Sequence, residues 1–446
     1  MKNQYYLLNI SVSGIKNIKE EVRLDFYKKT VDKDFNPDKY RIKAIYGENG
    51  SGKSAMITSV KIFQDLLIKN NYLNESKNQA FLDEMINKST KSFRFSLEFL
   101  VVSSGSKTVY NYSVHIKRSD KGLYEIYSEE LKVKNGGYVN NNYKTIFKSR
   151  DGELLYVLCT EKQKEFLEKK SSNLLLTHSF IYIYIVNLEK DIMELYKEAI
   201  DQELFIHVIA CMTLTLLITV YLGEEDQHEL YFLRKILRGN GLDTKALQEE
   251  IFEYSGIANI FFNVNDKIVE KKYFEKYKNK VNQLTQFIKI FKHDLISIDI
   301  DKKENGENYE CDLNLNYGSY SINKEFESTG IKKLIRLYDC FEAASTTGIV
   351  FVDEMDSNLN DVYLCKLIEY FMYYGKGQLC FTTHNLDPMT ILKENRNSID
   401  FLSSDNHLVS WTSRGNASPE NCYKNGMIKD SPFNIDATDF VGILGE

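Results

Sequence analysis

The run Gly47-Glu48-Asn49-Gly50-Ser51-Gly52-Lys53-Ser54 restricts this chain more than any other feature. It fits G-x-x-x-x-G-K-S/T in full, between an apolar strand-like run, RIKAIY, and a helically spaced one, KSAMITSVKIFQDLLIK. The glycines let the backbone fold tightly, so that successive N–H groups turn inward as an anion nest. A helix starting near Lys53 adds the positive end of its dipole. Lys53 is then expected to reach the β- and γ-phosphates of a nucleotide, and the Ser54 hydroxyl to bind a magnesium ion. The cofactors implied are ATP and Mg²⁺.

A second run, GIVFVDEMD at 348–356, reads as an apolar strand ending in acids. Asp353 is placed to hold Mg²⁺ through water, and Glu354 to polarise an attacking water. Strands often end in acids at a solvated turn, so it is the phosphate loop that gives this pair its meaning. Thr382, Thr383 and His384 follow the next strand-like run, QLCFTT, and are expected at the same sheet edge. His384 is read there as a hydrogen-bond partner of the γ-phosphate. TTHNLDP also reads as a helix-capping loop.

With 446 residues the chain has room for two or three substructures. Only four prolines occur and no stretch is rich in Gly, Ser or Pro, so no flexible linker is expected. A net charge of −6 leaves a surface that does not attract nucleic acid as a whole, and any such contact requires a local patch. Seven scattered cysteines fit reduced thiols in a cytoplasm. The alternating N-terminus, MKNQYYLLNISVSG, lacks the apolar core of a signal peptide. Residues 204–222 reach membrane-spanning length, yet Glu203 precedes them and Glu224, Glu225 and Asp226 follow, with no basic flank. A buried helix without membrane contact is expected, an oligomer interface being one form of that burial.

Strand, strand, strand, loop and helix patterns fill the first 60 residues, and residues 92–149 read as antiparallel meanders. Helical spacing takes over from about 160 to 292, and after 293 strands and helices alternate as in a parallel sheet. The expectation is an α/β fold whose nucleotide-binding domain is split: residues 1–150, a helical insertion at 151–292, and residues 293–446.

In this order the motifs resemble those of the ABC-type ATPase superfamily. Ser328-Thr329-Gly330 lies 25 residues before Asp353 and opens IKKLIRLYDCFEAAS, where that superfamily carries a Ser-x-Gly signature; an ordinary N-cap is the plainer reading. The resemblance implies an SMC/RecF-like P-loop ATPase head with a mixed sheet, an antiparallel β-subdomain and a helical insertion. It also implies a head-to-head homodimer or higher homo-oligomer, in which the signature helix start meets the γ-phosphate held by the other subunit. Lys16 and Asn17, in GIKNI at 14–18, are the positions implied to lie against the nucleotide, and Gln79 is the candidate Mg²⁺-sensing glutamine. The chain departs from the pattern by lacking Leu-Ser-Gly-Gly-Gln, and SNLND at 357–361 replaces the Leu-His-Pro of many relatives. Leu359, Asn360 and Asp361 are the residues there that would cross the dimer.

The chain as a whole resembles the compact bacterial AAA-family ATPases grouped with the OLD (overcoming-lysogenisation-defect) proteins. FRFSLEF, YSEELKV, FIKIFKHDLISIDI and TTHN carry that likeness. It implies a sensor, scaffold or regulator of a separate effector, a nuclease or toxin, in anti-phage systems such as Septu, PARIS and the retron-associated ones. The stretch after His384 is short and has no carboxylate cluster, so no intrinsic nuclease is expected. The alternative is an SMC/RecF-like DNA-repair ATPase that clamps duplex DNA. Its DNA or RNA contact would be the segment Lys267 to Lys292, with eight lysines against Glu270 and Glu275, which also reads as a solvated helix face. A transporter ATPase ranks third, because the insertion is large and the signature minimal.

Overall fold

A computed structural model describes residues 3–31, 34–137, 142–186, 202–223, 263–395, 397–412 and 417–431. Its organising element is a mixed sheet of β3 (Ile42–Tyr46), β9 (Ile218–Tyr221), β14 (Ile349–Val352), β15 (Gln378–Thr382), β16 (Ile399–Leu402) and β17 (Leu408–Ser410). The order is β17-β16-β3-β15-β14-β9, parallel throughout except for β17. The strands read as unbroken apolar runs because both faces are buried. Alternate residues enter two different cores: Ile45, Ile349 and Phe351 enter one, while Ala44, Tyr46, Val350 and Val352 enter the other.

The first core is closed by a seven-stranded antiparallel sheet. Its strands are β1 (Gln4–Ser13), β2 (Val22–Asp25), β4 (Ser92–Ser103), β5 (Ser106–Arg118), β6 (Tyr124–Asn135), β7 (Lys144–Arg150) and β8 (Glu153–Val157). They run in the order β2-β1-β4-β5-β6-β7-β8. Helix α1 (Lys53–Ile68) lies inside this core, and every residue of it but Ser54 is buried. A register shift in β1 between Leu7, which pairs with Phe99, and Asn9, which pairs with Glu98, leaves Leu8 without a partner in β4, and β2 pairs with β1 only from Asn9 to Val12. Gln378 binds the β1 backbone beyond the β2 pairing: its Oε1 accepts from Leu7 N–H at 2.7 Å and its Nε2 donates to Leu7 O at 2.9 Å. One side-chain amide thus ties the two sheets together.

Helices α2 (Ser76–Met85), α3 (Glu161–Ser171), α4 (Phe180–Val186) and α5 (Gln202–Leu217) flank this half. The apolar run at 204–222, read as one helix, is a helix followed by a strand. Ile218-Thr219-Val220-Tyr221 is β-branched and aromatic, and it covers the edge of β14, so pairing outweighs helix continuation. The stretch 151–292 therefore returns strands to both large sheets, β8 to one and β9 to the other. Residues 187–201 and 224–262, over which helices were expected, lie outside the described residues. No helix among the described residues is long and apolar enough to cross a membrane.

The second core lies between the mixed sheet and α6 (Phe274–Lys289), α7 (Thr329–Ser345), α8 (Asp361–Tyr374) and α9 (Pro388–Leu392). A small antiparallel sheet of β10 (Ile268–Glu270), β11 (Ser297–Asn305), β12 (Asn308–Asn316) and β13 (Ser321–Asn323) packs on it, and α10 (Pro419–Lys424) is the last helix among the described residues. The expected α/β architecture, with a mixed sheet and a separate antiparallel β region, is the one observed.

Glu129 of β6 is buried where α4 begins. Its Oε1 accepts from Tyr112 Oη at 2.9 Å and Ser179 Oγ at 2.6 Å, and its Oε2 from Phe180 N–H at 2.7 Å. Burial outweighs these three donors and pushes its carboxyl up to about 7. A carboxyl raised in the folded state binds more protons there than in the unfolded chain, so its stabilising effect is full below the ordinary carboxylate value and is lost as pH rises towards 7. Unfolding free energy is expected to fall by on the order of 3 kcal/mol between pH 4.5 and 7 through this group alone. Glu129→Gln should flatten that slope in denaturant titrations at several pH values.

Candidate nucleotide site

Parallel pairing sets the site. Phe381 is level with Val352, and Thr382 with Ile45, so the C-terminal ends of β14, β15 and β3 share one edge. Asp353, Thr382 and the loop opening at Gly47 are thereby brought together, as ligand sites in open α/β sheets require. The buried pair of Lys43 Nζ and Asp400 Oδ2, 2.6 Å apart, ties β3 to β16 beneath the loop.

The loop's glycines answer to close approaches. Gly52 has φ 109°, and a Cβ there would lie 2.9 Å from Ile18 Cγ1 and 3.1 Å from Asn17 Oδ1. The turn at 14–18 thus presses on the start of α1 and brings Asn17 to the loop, while the Lys16 and Asn17 side chains face solvent. Lys16 itself has φ 46°; its N–H donates to Met85 O at 2.7 Å and its carbonyl accepts from Asn87 Nδ2 at 2.6 Å. A Cβ at Gly47 would sit 2.4 Å from Leu402 O at the end of β16.

Lys53 is buried, and its Nζ donates to Gly47 O at 2.8 Å and Glu48 O at 2.9 Å. Burial lowers its pKa below the usual lysine value, while Asp353, Glu354 and Asp356 pull it back up. The ammonium thus rests on the carbonyls of its own loop. The Ser51 hydroxyl is buried with no hydrogen-bond partner among the described residues. An unpaired buried group of this kind costs about 1–3 kcal/mol, and an acceptor-rich ligand relieves it. A glycine cradle, an ammonium on weak acceptors and an orphaned hydroxyl fit a polyphosphate. Ser54, the least buried residue of α1, stands beside Lys53 in the first turn and could hold a metal ion there.

Across the edge, Thr382 Oγ donates to Asp353 Oδ1 at 2.5 Å and accepts from Glu354 N–H at 2.7 Å. Asp353 N–H donates to Tyr221 O at 2.8 Å, so β9 steadies the same turn. Glu354 has φ 46° and its side chain is exposed. Asp356 Oδ2 accepts from the N–H groups of His384 and Asn385, both at 3.2 Å, and its Oδ1 is buried with no partner among the described residues. His384 is exposed, held to the acidic turn through its backbone. Asp361 Oδ1 accepts from Asn385 Nδ2 at 2.5 Å, and Asn360 caps α8 by accepting from Val362 N–H.

Ser328 caps α7, its Oγ accepting from Ile331 N–H at 3.4 Å, and Ser328 and Thr329 face solvent. A Cβ at Gly330 would meet Asn358 O at 2.8 Å, so the helix start packs on the loop after the acidic turn. Just before it, Phe326 is 79% exposed. Lys333, on the same helix, is a residue the motifs did not indicate: its Nζ donates to Glu354 O at 2.6 Å and Ser357 Oγ at 2.5 Å. The available signal was a lysine spaced with Leu337, Cys340 and Ala344 on the buried stripe of α7.

Gln79 is not brought to the site. Its Nε2 donates to Leu73 O at 2.6 Å and Tyr124 O at 2.9 Å, and its Oε1 accepts from Tyr124 N–H at 2.8 Å. These bonds clasp α2 to β6 and occupy the amide expected to sense Mg²⁺. The lysine-rich segment also differs from an open basic strip. Lys271 pairs with Glu304, Lys272 with Glu270 and Lys292 with Asp294. Lys280 is buried between Asp339 and Glu342.

No protein-family model matches the chain, and no curated protein does. Among solved structures it is similar to the recombination mediator protein RecF of the RecFOR pathway. The RecF-ATPrS structure aligns at 14% identity and a TM-score of 0.39, covering 92% of this chain and 99% of that one. The RecF-ATP structure aligns at 14% identity and a TM-score of 0.36, covering 92% of this chain and 100% of that one.

Proposed function

We propose that this chain binds ATP with Mg²⁺ and hydrolyses it, as an ABC-type head whose closure on nucleotide controls another macromolecule. The observation that carries the reading is the buried Lys53 ammonium resting on Gly47 O and Glu48 O beside the orphaned Ser51 hydroxyl, at the sheet edge shared with Asp353 and Glu354. Lys53 exchanges those carbonyls for the β- and γ-phosphates, and the loop N–H groups cradle the same charge. Ser54 and Asp353 would hold Mg²⁺, which would supply positive charge to offset that of the triphosphate. Thr382 fixes the Asp353 carboxylate and the Glu354 N–H with one hydroxyl. Glu354 takes a proton from the water whose oxygen bonds to the γ-phosphorus as the bond to ADP breaks. His384, at the edge of the same turn, contacts the γ-phosphate.

The helix start at Ser328–Gly330, with Ser328 and Thr329 facing solvent, supports a head-to-head dimer, because a second copy's phosphate is an anion suited to a helix N-terminus. Lys16 and Asn17 lie against the nucleotide from the same chain. Glu354→Gln with ATP and Mg²⁺ is expected to run as a dimer in light scattering, and Ser328→Arg added to it as a monomer. An ATP-loaded Glu354→Gln that stays monomeric contradicts the dimer.

The likeness to OLD-group ATPases supports a sensor, scaffold or regulator of a separate nuclease or toxin in anti-phage defence. The RecF-like alternative keeps the same site and differs in what the closed dimer grips, duplex DNA. Ion pairing of the lysine-rich segment weighs against a basic strip at that place. Native purification that captures a stoichiometric effector supports the first reading. Steeply salt-dependent DNA binding with no protein partner supports the second.

A further inference from the structure

We propose that Lys333 is a positioning residue that ties helix α7 to the turn bearing Glu354, so that what displaces the Ser328–Gly330 helix start also displaces the water-activating carboxylate. The inference rests on the nucleotide-site reading and deepens it. Lys333 is 5% exposed, and its ammonium is hydrogen-bonded to Glu354 O and Ser357 Oγ, both in the acidic turn.

Three further observations bear on that contact. Glu354 holds φ 46°, a backbone state that a residue with a side chain keeps only when its surroundings impose it. Its N–H goes to Thr382 Oγ and its carbonyl to Lys333, so both peptide groups flanking the strained residue are pinned. Gly330 packs on Asn358 O with no room for a Cβ, so the first turn of α7 also touches the far side of the same loop. Asp353, Glu354 and Asp356 put three carboxylates within four residues, and they offset the burial that lowers the Lys333 pKa to about 8. A cation behind the turn therefore has electrostatic as well as geometric work there.

In this arrangement α7 carries a solvent-facing terminus at one end and, about one turn inward, the group that sets the Glu354 backbone. A ligand meeting Ser328 and Thr329 changes Glu354 without touching it. Lys333 does not contact the nucleotide; it acts through Glu354.

The test uses the full chain and reads out both with and without nucleotide. In the ligand-free protein, Lys333→Met should speed amide exchange at 355–359 about tenfold or more, as loss of a charged hydrogen-bond donor predicts. Ser357 N–H, which donates to Glu354 O at 3.1 Å, is the most direct reporter. With ATP and Mg²⁺, kcat should fall about 30- to 100-fold while KM changes less than about threefold, the mark of misplacement rather than lost binding. Lys333→Arg, which keeps charge and donors, should recover most of the turnover. Lys332→Met, whose ammonium reaches Glu325 O instead, should behave like the unaltered chain.

Wild-type turnover and unchanged exchange in Lys333→Met overturn the proposal, as does a rise in KM with kcat unchanged. If Lys333→Met fails to fold, Ser357→Ala removes one of the two acceptors; a smaller fall in kcat supports the tie, and no fall overturns it. An unaltered chain that neither binds nor hydrolyses ATP defeats the nucleotide reading instead, and amide exchange still decides the tie.

Discussion

Lys53→Ala is expected to weaken ATP binding by at least about 100-fold, to the point of undetectable binding at micromolar nucleotide. The ammonium now donates to two loop carbonyls, neutral acceptors that hold it in place without cancelling its charge. A triphosphate offers charged oxygens at the same loop, so each exchanged bond gains the difference between a neutral and an ionic acceptor. Burial lowers the lysine's pKa in the free protein, and an arriving polyanion raises it, adding to the gain. Alanine removes both effects and leaves Gly47 O and Glu48 O without their donor. Because Lys53 is buried in the first turn of α1, thermal unfolding should be measured alongside, to show that binding and not folding was lost. Equilibrium titration with a fluorescent ATP analogue checks it.

Glu354→Gln is expected to lower turnover by about 10²- to 10⁴-fold, the range for removing a general base, with ATP affinity unchanged or tighter. The substitution keeps the shape of the side chain. The pinned N–H and carbonyl of residue 354 belong to the backbone and stay in place. The exposed carboxylate carries little of the fold's stability, so the melting temperature should not move. Phosphate release and bound-nucleotide content, measured on the same sample, should diverge: little phosphate, much retained ATP.

What the sequence made legible follows from how local each constraint is. The phosphate loop could be read because its requirements lie within eight residues and their two flanks: glycines where a Cβ would clash, and a lysine and serine opening a helix. The acidic turn and Ser328 were legible for the same reason, being strand-end and helix-start signals. Features set by distant partners were not. Ile218–Tyr221 continues the apolar character of the helix before it, and only the uncovered edge of β14, far along the chain, makes it a strand. Gln79 has the right side chain for a metal sensor, yet the seating of α2 on β6 commits its amide to Tyr124 and Leu73. The second role of Thr382, and Lys333 itself, depend on three elements meeting at one turn, which no window of sequence displays.

The central claim is that Gly47–Ser54 and Asp353–Glu354 form one ATP-hydrolysing site. Its most direct test is steady-state phosphate release by the purified full chain with ATP and Mg²⁺, run beside Lys53→Ala and Glu354→Gln. Saturable, Mg²⁺-dependent release that vanishes in both variants, with ATP retained only by Glu354→Gln, is the predicted result. Release that continues at the unaltered rate in either variant contradicts it.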